Sequence, residues 1–192
     1  MKREEIINKA IWDYSIENIH YGFEQIAYEF QDNSFQLLKG CLWEFDQIFK
    51  KVIERKKEQV CFVSIYFLYS SLQLDDYKLQ VDFYDEQYLF DKCPVIGEVD
   101  FSFVLKYYRQ ELEYYAEYMK KHVIQVKYHE ILKFRKMLQC KYKKVIKAVL
   151  EQYLPYIMNL KSFHEMDKCE DFHIVYGEYF SEGVFLYPIE QE

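Results

Sequence analysis

The apolar positions in the first 57 residues recur with the period of an α-helix. This pattern predicts a helix over residues 3–30, with Asn18 and Gly22 as candidate points of interruption. A turn is expected to follow at Asp32-Asn33-Ser34, where all three residue types favour turns. Ser34 is a good N-cap, so a second helix is expected over about 35–57. The apolar stripe of this helix has alternating spacings of four and three residues and consists of Leu38, Leu42, Phe45, Phe49 and Val52.

The pattern then changes to that of β-strands. Residues 60–69 are β-branched or aromatic on both alternating faces, which is typical of a strand covered on both sides. Residues 78–85 alternate in polarity, so this second strand is predicted to have one solvated face, carrying Gln80, Asp82 and Tyr84. A turn at 74–77 would join the two strands into a hairpin, and residues 88–90 are a candidate third strand.

The second half of the chain is predicted to form two helices followed by two short strands. Asp100 or Ser102 can cap a helix that runs to about Lys121, and a further helix covers about 123–153. The strands are expected at 172–176 and 184–187. Because strands cluster instead of alternating with helices, we predict an α+β fold. It would be one mostly helical domain over residues 1–192, with a small antiparallel sheet made of the hairpin at 60–90 and the short C-terminal strands within 172–187.

Composition narrows the class of protein. Gly and Pro are few, at 5 and 3, and hydrophobic residues make up 51%, so a helix-rich core is expected rather than disorder. The 5 Cys residues form no C-x-x-C pair, which predicts unpaired thiols in a reducing compartment. The N-terminus lacks the apolar segment of a signal peptide, and no apolar run is long enough to span a bilayer. We therefore expect a cytoplasmic protein without membrane association.

Charge is strongly segregated along the chain. The net charge of −7 combines acidic blocks at 75–100 and 162–192 with a basic block at 120–147. Five lysines of the basic block share about one third of a helix circumference, opposite the apolar stripe: Lys133, Lys136, Lys143, Lys144 and Lys147. Such a face could bind nucleic acid, which makes a nucleic-acid-binding regulator one alternative function. A solvated helix face also explains the pattern, and the acidic net charge favours that interpretation.

The acidic block over the hairpin is the favoured candidate for a binding surface. Like charges repel when they are close, so their retention beside tyrosines suggests a basic protein partner. By analogy, such a surface suits a non-catalytic inhibitor or immunity-type protein, which needs no cofactor. The predicted partner-binding residues are Asp75, Asp76, Tyr77, Asp82, Tyr84, Asp85, Glu86 and Tyr88.

A metal-dependent hydrolase or nuclease is the other alternative, with Asp82, Asp85 and Glu86 holding Mg²⁺. The Lys that restriction-type nucleases place two residues after the second acid is missing here. His164, Cys169 and His173 are competent Zn²⁺ ligands, but they lack a second ligand pair at a recognisable spacing, so no metal site is predicted. The chain has neither a G-x-S-x-G nor a P-loop motif, which favours a non-enzymatic role.

Overall fold

The computed structural model describes residues 2–18, 21–57, 59–74, 76–123, 125–179 and 183–188. The α-helices in these ranges are α1 (Arg3–Asn18), α2 (Tyr21–Glu54), α3 (Tyr69–Leu74), α4 (Ser102–His122), α5 (Tyr128–Met158) and α6 (Lys161–Glu165). The strands are β1 (Val60–Phe67), β2 (Lys78–Tyr84), β3 (Val95–Asp100), β4 (Lys168–Glu178) and β5 (Val184–Tyr187). The described part of the chain is 64% helical with a five-stranded sheet, which confirms the predicted α+β class.

The sheet is mixed, which corrects the prediction of an antiparallel sheet. Its strand order is β3-β2-β1-β4-β5, and β1 pairs antiparallel with β2 but parallel with β4. Two parallel neighbouring strands require a long connection, because the chain must return to the end of the sheet at which the first strand began. The helices α4, α5 and α6 lie in the chain between β1 and β4, and they supply that length.

The predicted hairpin is confirmed in its pairing but not in its connections. Ile65 of β1 lies opposite Val81 of β2, and the short helix α3 joins the two strands where a turn was expected. The third strand is β3, not residues 88–90, which form a 3-10 turn. Residues 95–100 alternate between buried and exposed, which is the ordinary signal of an edge strand. Pro94 precedes this strand and Gly97 lies within it, and both residue types are more typical of loops.

Helix α1 ends at Asn18 and α2 begins at Tyr21, which agrees with an interruption near Asn18 or Gly22. The other differences from the prediction lie mainly at the ends of the helices. Helix α2 continues through Asp32-Asn33-Ser34, where a turn was predicted. Relative to Ala, each of these residue types destabilises a helix by only a few tenths of a kcal/mol, and no Pro interrupts the segment. The helix therefore continues through them. Helix α4 begins at Ser102 as expected, whereas α5 begins at Tyr128 and extends past Pro155 to Met158.

The chain divides into two compact units. Unit 1 consists of residues 1–34 and 103–146, and unit 2 consists of residues 35–102 and 147–192, so each unit combines two stretches of sequence. In unit 1 the core is aromatic: the rings of Tyr115 and Phe134 stack with centroids 3.7 Å apart, and Tyr14 meets both edge-on. Edge-to-face rings pack favourably beyond the area that they bury. The prediction of a single domain over 1–192 stays a prediction.

The core of unit 2 lies on one face of the sheet. The side chains of β1, β2 and β4 that point to this face include Ile65, Phe83 and Ile174, and all three are almost fully buried. Phe49 of α2 packs edge-on against Phe83, with ring centroids 5.8 Å apart. The opposite face of the sheet carries the hairpin residues that the sequence analysis singled out.

Two of the cysteines are paired, so the prediction of five unpaired thiols is wrong. Cys61 on β1 and Cys169 on β4 form a disulfide, with their Cα atoms 5.2 Å apart. This separation lies within the ordinary range for bridged cysteines on neighbouring strands. Cys41, Cys93 and Cys140 are free thiols. The predicted cytoplasmic location rested partly on unpaired thiols and loses that support. Within the described ranges, no helix combines the length and the apolar character needed to cross a membrane.

Candidate functional site

The hairpin face that the sequence predicted to be solvated is buried. Ser64 and Asp82 lie opposite each other in the β1–β2 ladder, and both are at most 1% exposed. Tyr66 and Tyr84 on the same face are also buried. We call Ser64, Tyr66, Asp82 and Tyr84 the polar cluster. Alternating polarity predicted that this face meets water, but tyrosines can bury polar neighbours with their rings while bonding them through their hydroxyls.

Hydrogen bonds from the neighbouring Gln80 and from Tyr84 of the polar cluster satisfy the Asp82 carboxylate. The Gln80 amide donates to both of its oxygens, at 2.9 and 2.8 Å, and the Tyr84 hydroxyl donates to Oδ2 at 2.9 Å. The hydroxyls of Tyr84 and Tyr66 are 3.5 Å apart. Burial raises the pKa of Asp82, and the bonds from Gln80 and Tyr84 offset part of that rise. Asp82 and Tyr84 are therefore internal groups and not contacts for an incoming partner.

The raised pKa of Asp82 predicts a specific pH dependence of stability. The folded state holds the Asp82 proton more tightly than the unfolded state, so stability falls as the pH rises from the ordinary value of 3.8 through the folded pKa. Asp82→Asn keeps an oxygen acceptor and removes the charge, so we expect it to raise the urea midpoint at pH 7. The difference from the parent should shrink towards zero below about pH 3.8, where both side chains are neutral. Glu86→Gln, at an exposed position, should change the midpoint little at either pH. A lower midpoint for Asp82→Asn at pH 7 would contradict this account.

The loop after β2, residues 85–93, is tied at its base by Asp91. The carboxylate of Asp91 accepts the backbone N–H of Asp85 at 2.9 Å and that of Cys93 at 2.8 Å, so it joins the two ends of the loop. It also pairs with the ammonium of Lys57, which follows α2. Burial opposes ionisation of Asp91, but Lys57 and the two N–H donors outweigh it and hold the pKa of Asp91 below its ordinary value.

The middle of the loop is anchored by Tyr88. Its ring packs against Tyr84 and Phe62, with centroids 5.2 and 4.8 Å away, and its hydroxyl accepts a hydrogen bond from Ser64 at 3.3 Å. The next two residues point away from the protein: Leu89 is 38% exposed and Phe90 is 84% exposed. An apolar side chain thus projects into solvent from a loop whose base and centre are both held.

The remaining predicted partner-binding residues do not form one surface. Asp75 lies outside the described residues. Asp76 and Tyr77 precede β2, whereas Asp85 and Glu86 follow it, and a seven-residue strand separates the two pairs by roughly 20 Å. The Asp76 carboxylate is 3.3 Å from the Lys78 ammonium, which also pairs with Glu98 of β3. The acidic block is therefore partly neutralised by its own strand and divided between the two ends of β2.

The carboxylates of the metal-dependent alternative are not brought together. In the described parts of the chain, no three His, Cys, Asp or Glu side chains approach closely enough to hold a metal ion. Asp82 is engaged in the polar cluster, Asp85 accepts the N–H of Gln87, and Glu86 is exposed. Cys169, one of the candidate zinc ligands, is bonded to Cys61.

The lysine face of α5 is partly neutralised within the chain. Lys133 pairs with Glu4 in unit 1, and Lys147 pairs with Glu151 in unit 2. Lys136 and Lys144 are exposed. Ion pairs of this kind contribute little stability, but they are what a solvated helix face is expected to show.

Comparison with known proteins adds no function, since no family model, curated protein or solved structure matches the chain. The structure itself defines the class: an α+β protein whose hairpin continues into an anchored loop with an exposed apolar tip. Sequence reasoning missed Lys57, Asp91 and Phe90. Lys57 and Asp91 are 34 residues apart, and no local pattern links them. Phe90 was missed because residues 88–90 were expected to form a third strand, whereas they form a 3-10 turn.

Proposed function

We propose that this chain is a non-catalytic protein-binding protein whose partner contacts the loop of residues 85–93, with Phe90 at the centre of the contact. The observation that carries the proposal is the 84% exposure of Phe90 on a loop that Asp91 closes at its base. Exposed aromatic side chains dominate the energy of many protein interfaces. A loop that is already ordered loses little conformational entropy when it binds, so more of the contact energy appears as affinity.

The proposal keeps the binding role predicted from the sequence but changes the surface. Asp82 and Tyr84 are buried, and the loop, which itself contains Asp85, Glu86 and Lys92, shares a cleft with Arg55, Lys56 and Lys57. A basic character of the partner is therefore no longer part of the proposal. An inhibitor-type role is compatible with the exposed apolar side chain of Phe90, because inhibitors act by occupying a partner's surface.

Capture with matched variants tests the proposal. Tagged protein and its Phe90→Ser variant are used to capture partners from extract of the native cell, with Phe35→Ser as the control. Phe35 is similarly exposed, at 76%, but lies on α2 away from the loop in sequence. Neither substitution should lower thermal stability, since both side chains already meet water.

We expect at least one captured protein to fall about tenfold or more in yield with Phe90→Ser and to remain with Phe35→Ser, as truncation of a central interface residue costs about 2 kcal/mol or more. A photo-crosslinking residue at position 90 should then link to that same protein. If the captured proteins are identical for the parent and both variants, the loop is not the binding site and the proposal is wrong.

A further inference from the structure

We infer that unit 2 contains a binding site for a polyphosphate anion, in the cleft between the end of α2 and the loop of residues 85–93. The cleft has a volume of about 660 Å³, which is within the range of small-molecule sites. Four of its lining residues are cations: Arg55, Lys56, Lys57 and Lys92. The ligand is a small anion, so the inference does not rest on the proposed function.

The charge available to a ligand follows from the ion pairs. Lys57 is paired with Asp91, so these two lining residues neutralise each other. Within the described residues, Arg55, Lys56 and Lys92 make no ion pair with a carboxylate. The remaining charged lining residue is Asp85, whose carboxylate accepts the N–H of Gln87 at 2.8 Å. Three cations and one carboxylate leave an excess of two positive charges, which a dianion or larger anion would balance.

The position of Lys92 distinguishes this cleft from an ordinary helix C-terminus. Cations often follow the last turn of a helix because they offset its dipole, and this explains Arg55 and Lys56. Lys92 belongs to a different segment, and the pair between Lys57 and Asp91 holds that segment beside the helix end. Cations from two segments thus converge on one cavity. Like charges held close together cost free energy, and an anion between them removes that cost.

The chemistry of the cations favours phosphate over a single carboxylate. The guanidinium of Arg55 can present two parallel N–H donors to one phosphoryl group, and the ammonium groups of Lys56 and Lys92 can each bond to further oxygens. A diphosphate offers several acceptor oxygens to the three cations that line the cleft. Asp85 repels the same anion, so it limits affinity, and its neutralisation should strengthen binding.

Pyrophosphate is the probe for this site, with calorimetric titration at low ionic strength as the first measurement. Lys56→Gln/Lys92→Gln should weaken binding at least tenfold, whereas Asp85→Asn should tighten it by about threefold. The control Lys136→Gln/Lys144→Gln removes two exposed lysines of α5 and should leave the affinity unchanged. Sulfate at matched ionic strength should bind more weakly than pyrophosphate. Comparison of ATP with adenosine shows whether the phosphates alone account for nucleotide binding.

The two exposed free thiols give a second, local measurement. Cys93 lines the cleft and Cys140 lies on α5, and both are accessible to neutral iodoacetamide. Pyrophosphate should slow the alkylation of Cys93 several-fold and leave the rate at Cys140 unchanged. Equal effects on both thiols, or an affinity that is the same for the cleft and control variants, would mean diffuse screening and would overturn the inference. Loss of binding confined to the cleft variants, with protection confined to Cys93, supports it.

Discussion

Replacement of Lys57 by Met is expected to lower the free energy of unfolding by about 3 kcal/mol, which is the cost of leaving a buried carboxylate without its counter-charge. The side chains of Lys57 and Asp91 are 8% and 2% exposed, so water compensates poorly for the lost ammonium. Asp91 cannot move away either, because it holds the backbone N–H groups of Asp85 and Cys93. The ionised group is therefore retained in a site that no longer stabilises it.

The double variant Lys57→Met/Asp91→Asn separates charge from hydrogen bonding. Asn keeps an oxygen to accept the two backbone N–H groups and carries no charge, so the double variant should recover most of the loss. Lys120→Met provides the contrast, because its partner Glu117 is also exposed and such surface pairs contribute at most about 1 kcal/mol. Urea denaturation at pH 7 measures all three. A loss for Lys57→Met no larger than that for Lys120→Met would show that the pair is not effectively buried.

Low pH should remove the stabilisation that the ionised Asp91 carboxylate provides. The pKa of Asp91 is depressed in the folded state, so the stability that it provides is present above its unfolded pKa, near the ordinary value of 3.8, and is lost as the pH falls through the folded pKa. The deficit of Lys57→Met should accordingly shrink below about pH 3.8, where Asp91 gains a proton in the variant.

Two glycines of the same helix should respond in opposite directions to alanine. Gly22 is the second residue of α2, whereas Gly40 lies in its interior, where Ala is favoured over Gly by about 1 kcal/mol. At Gly40 a new Cβ would have no neighbour within 4 Å, so Gly40→Ala should stabilise the protein by up to that amount. At Gly22 the Cβ would lie 2.5 Å from Oε1 of Glu111 and 2.6 Å from the hydroxyl of Tyr142.

Neither neighbour of Gly22 can move away cheaply. Both side chains are buried in unit 1, and the Glu111 carboxylate accepts the backbone N–H of Gly22 at 3.1 Å and lies 3.7 Å from the Lys141 ammonium. Burial already raises the pKa of Glu111, so any shift that weakens these contacts adds to an existing cost. Overpacking of this kind costs about 1–3 kcal/mol, which exceeds the gain in helix propensity.

We therefore expect Gly22→Ala to lower the unfolding free energy by about 1–2 kcal/mol and to differ from Gly40→Ala by about 2–3 kcal/mol. Thermal and urea denaturation of the two variants beside the parent measure this difference. If Gly22→Ala is as stable as Gly40→Ala, then the carboxylate of Glu111 does not occupy the position beside the Gly22 backbone.

The burial of Asp82 also changes how the hairpin can be tested. A charge reversal such as Asp82→Lys tests binding only where the reversed side chain meets water. In the structure it would place an ammonium among tyrosines without a counter-charge, and loss of binding would then follow from unfolding. Phe90→Ser avoids this problem, because the Phe90 side chain is exposed.

Local pattern by itself determined the type and approximate place of most elements. The alternation Leu79, Val81, Phe83 defines the buried side of β2, because a period of two is a local property of the strand. The start of α4 is equally local, since the Asp100 carboxylate accepts the N–H of Ser102, two residues further on. The same alternation was wrong about the other side of β2. It could assign Asp82 to the polar face, but it could not show that Tyr66 and Tyr84 bury that face.

Only the tertiary structure decided which distant segments meet. Strand β1 pairs in parallel with β4, which follows it much later in the chain. The disulfide between these strands joins Cys61 and Cys169, which are 108 positions apart. In the sequence, Asp85 and Asp91 belong to an acidic block. The fold places Arg55, Lys56 and Lys57 in the same cleft with them, and the lining of that cleft is net positive. The physical reason is that periodicity reports how each segment divides its surface between core and solvent. The choice of neighbour depends on packing across the whole chain, which no short stretch of sequence contains.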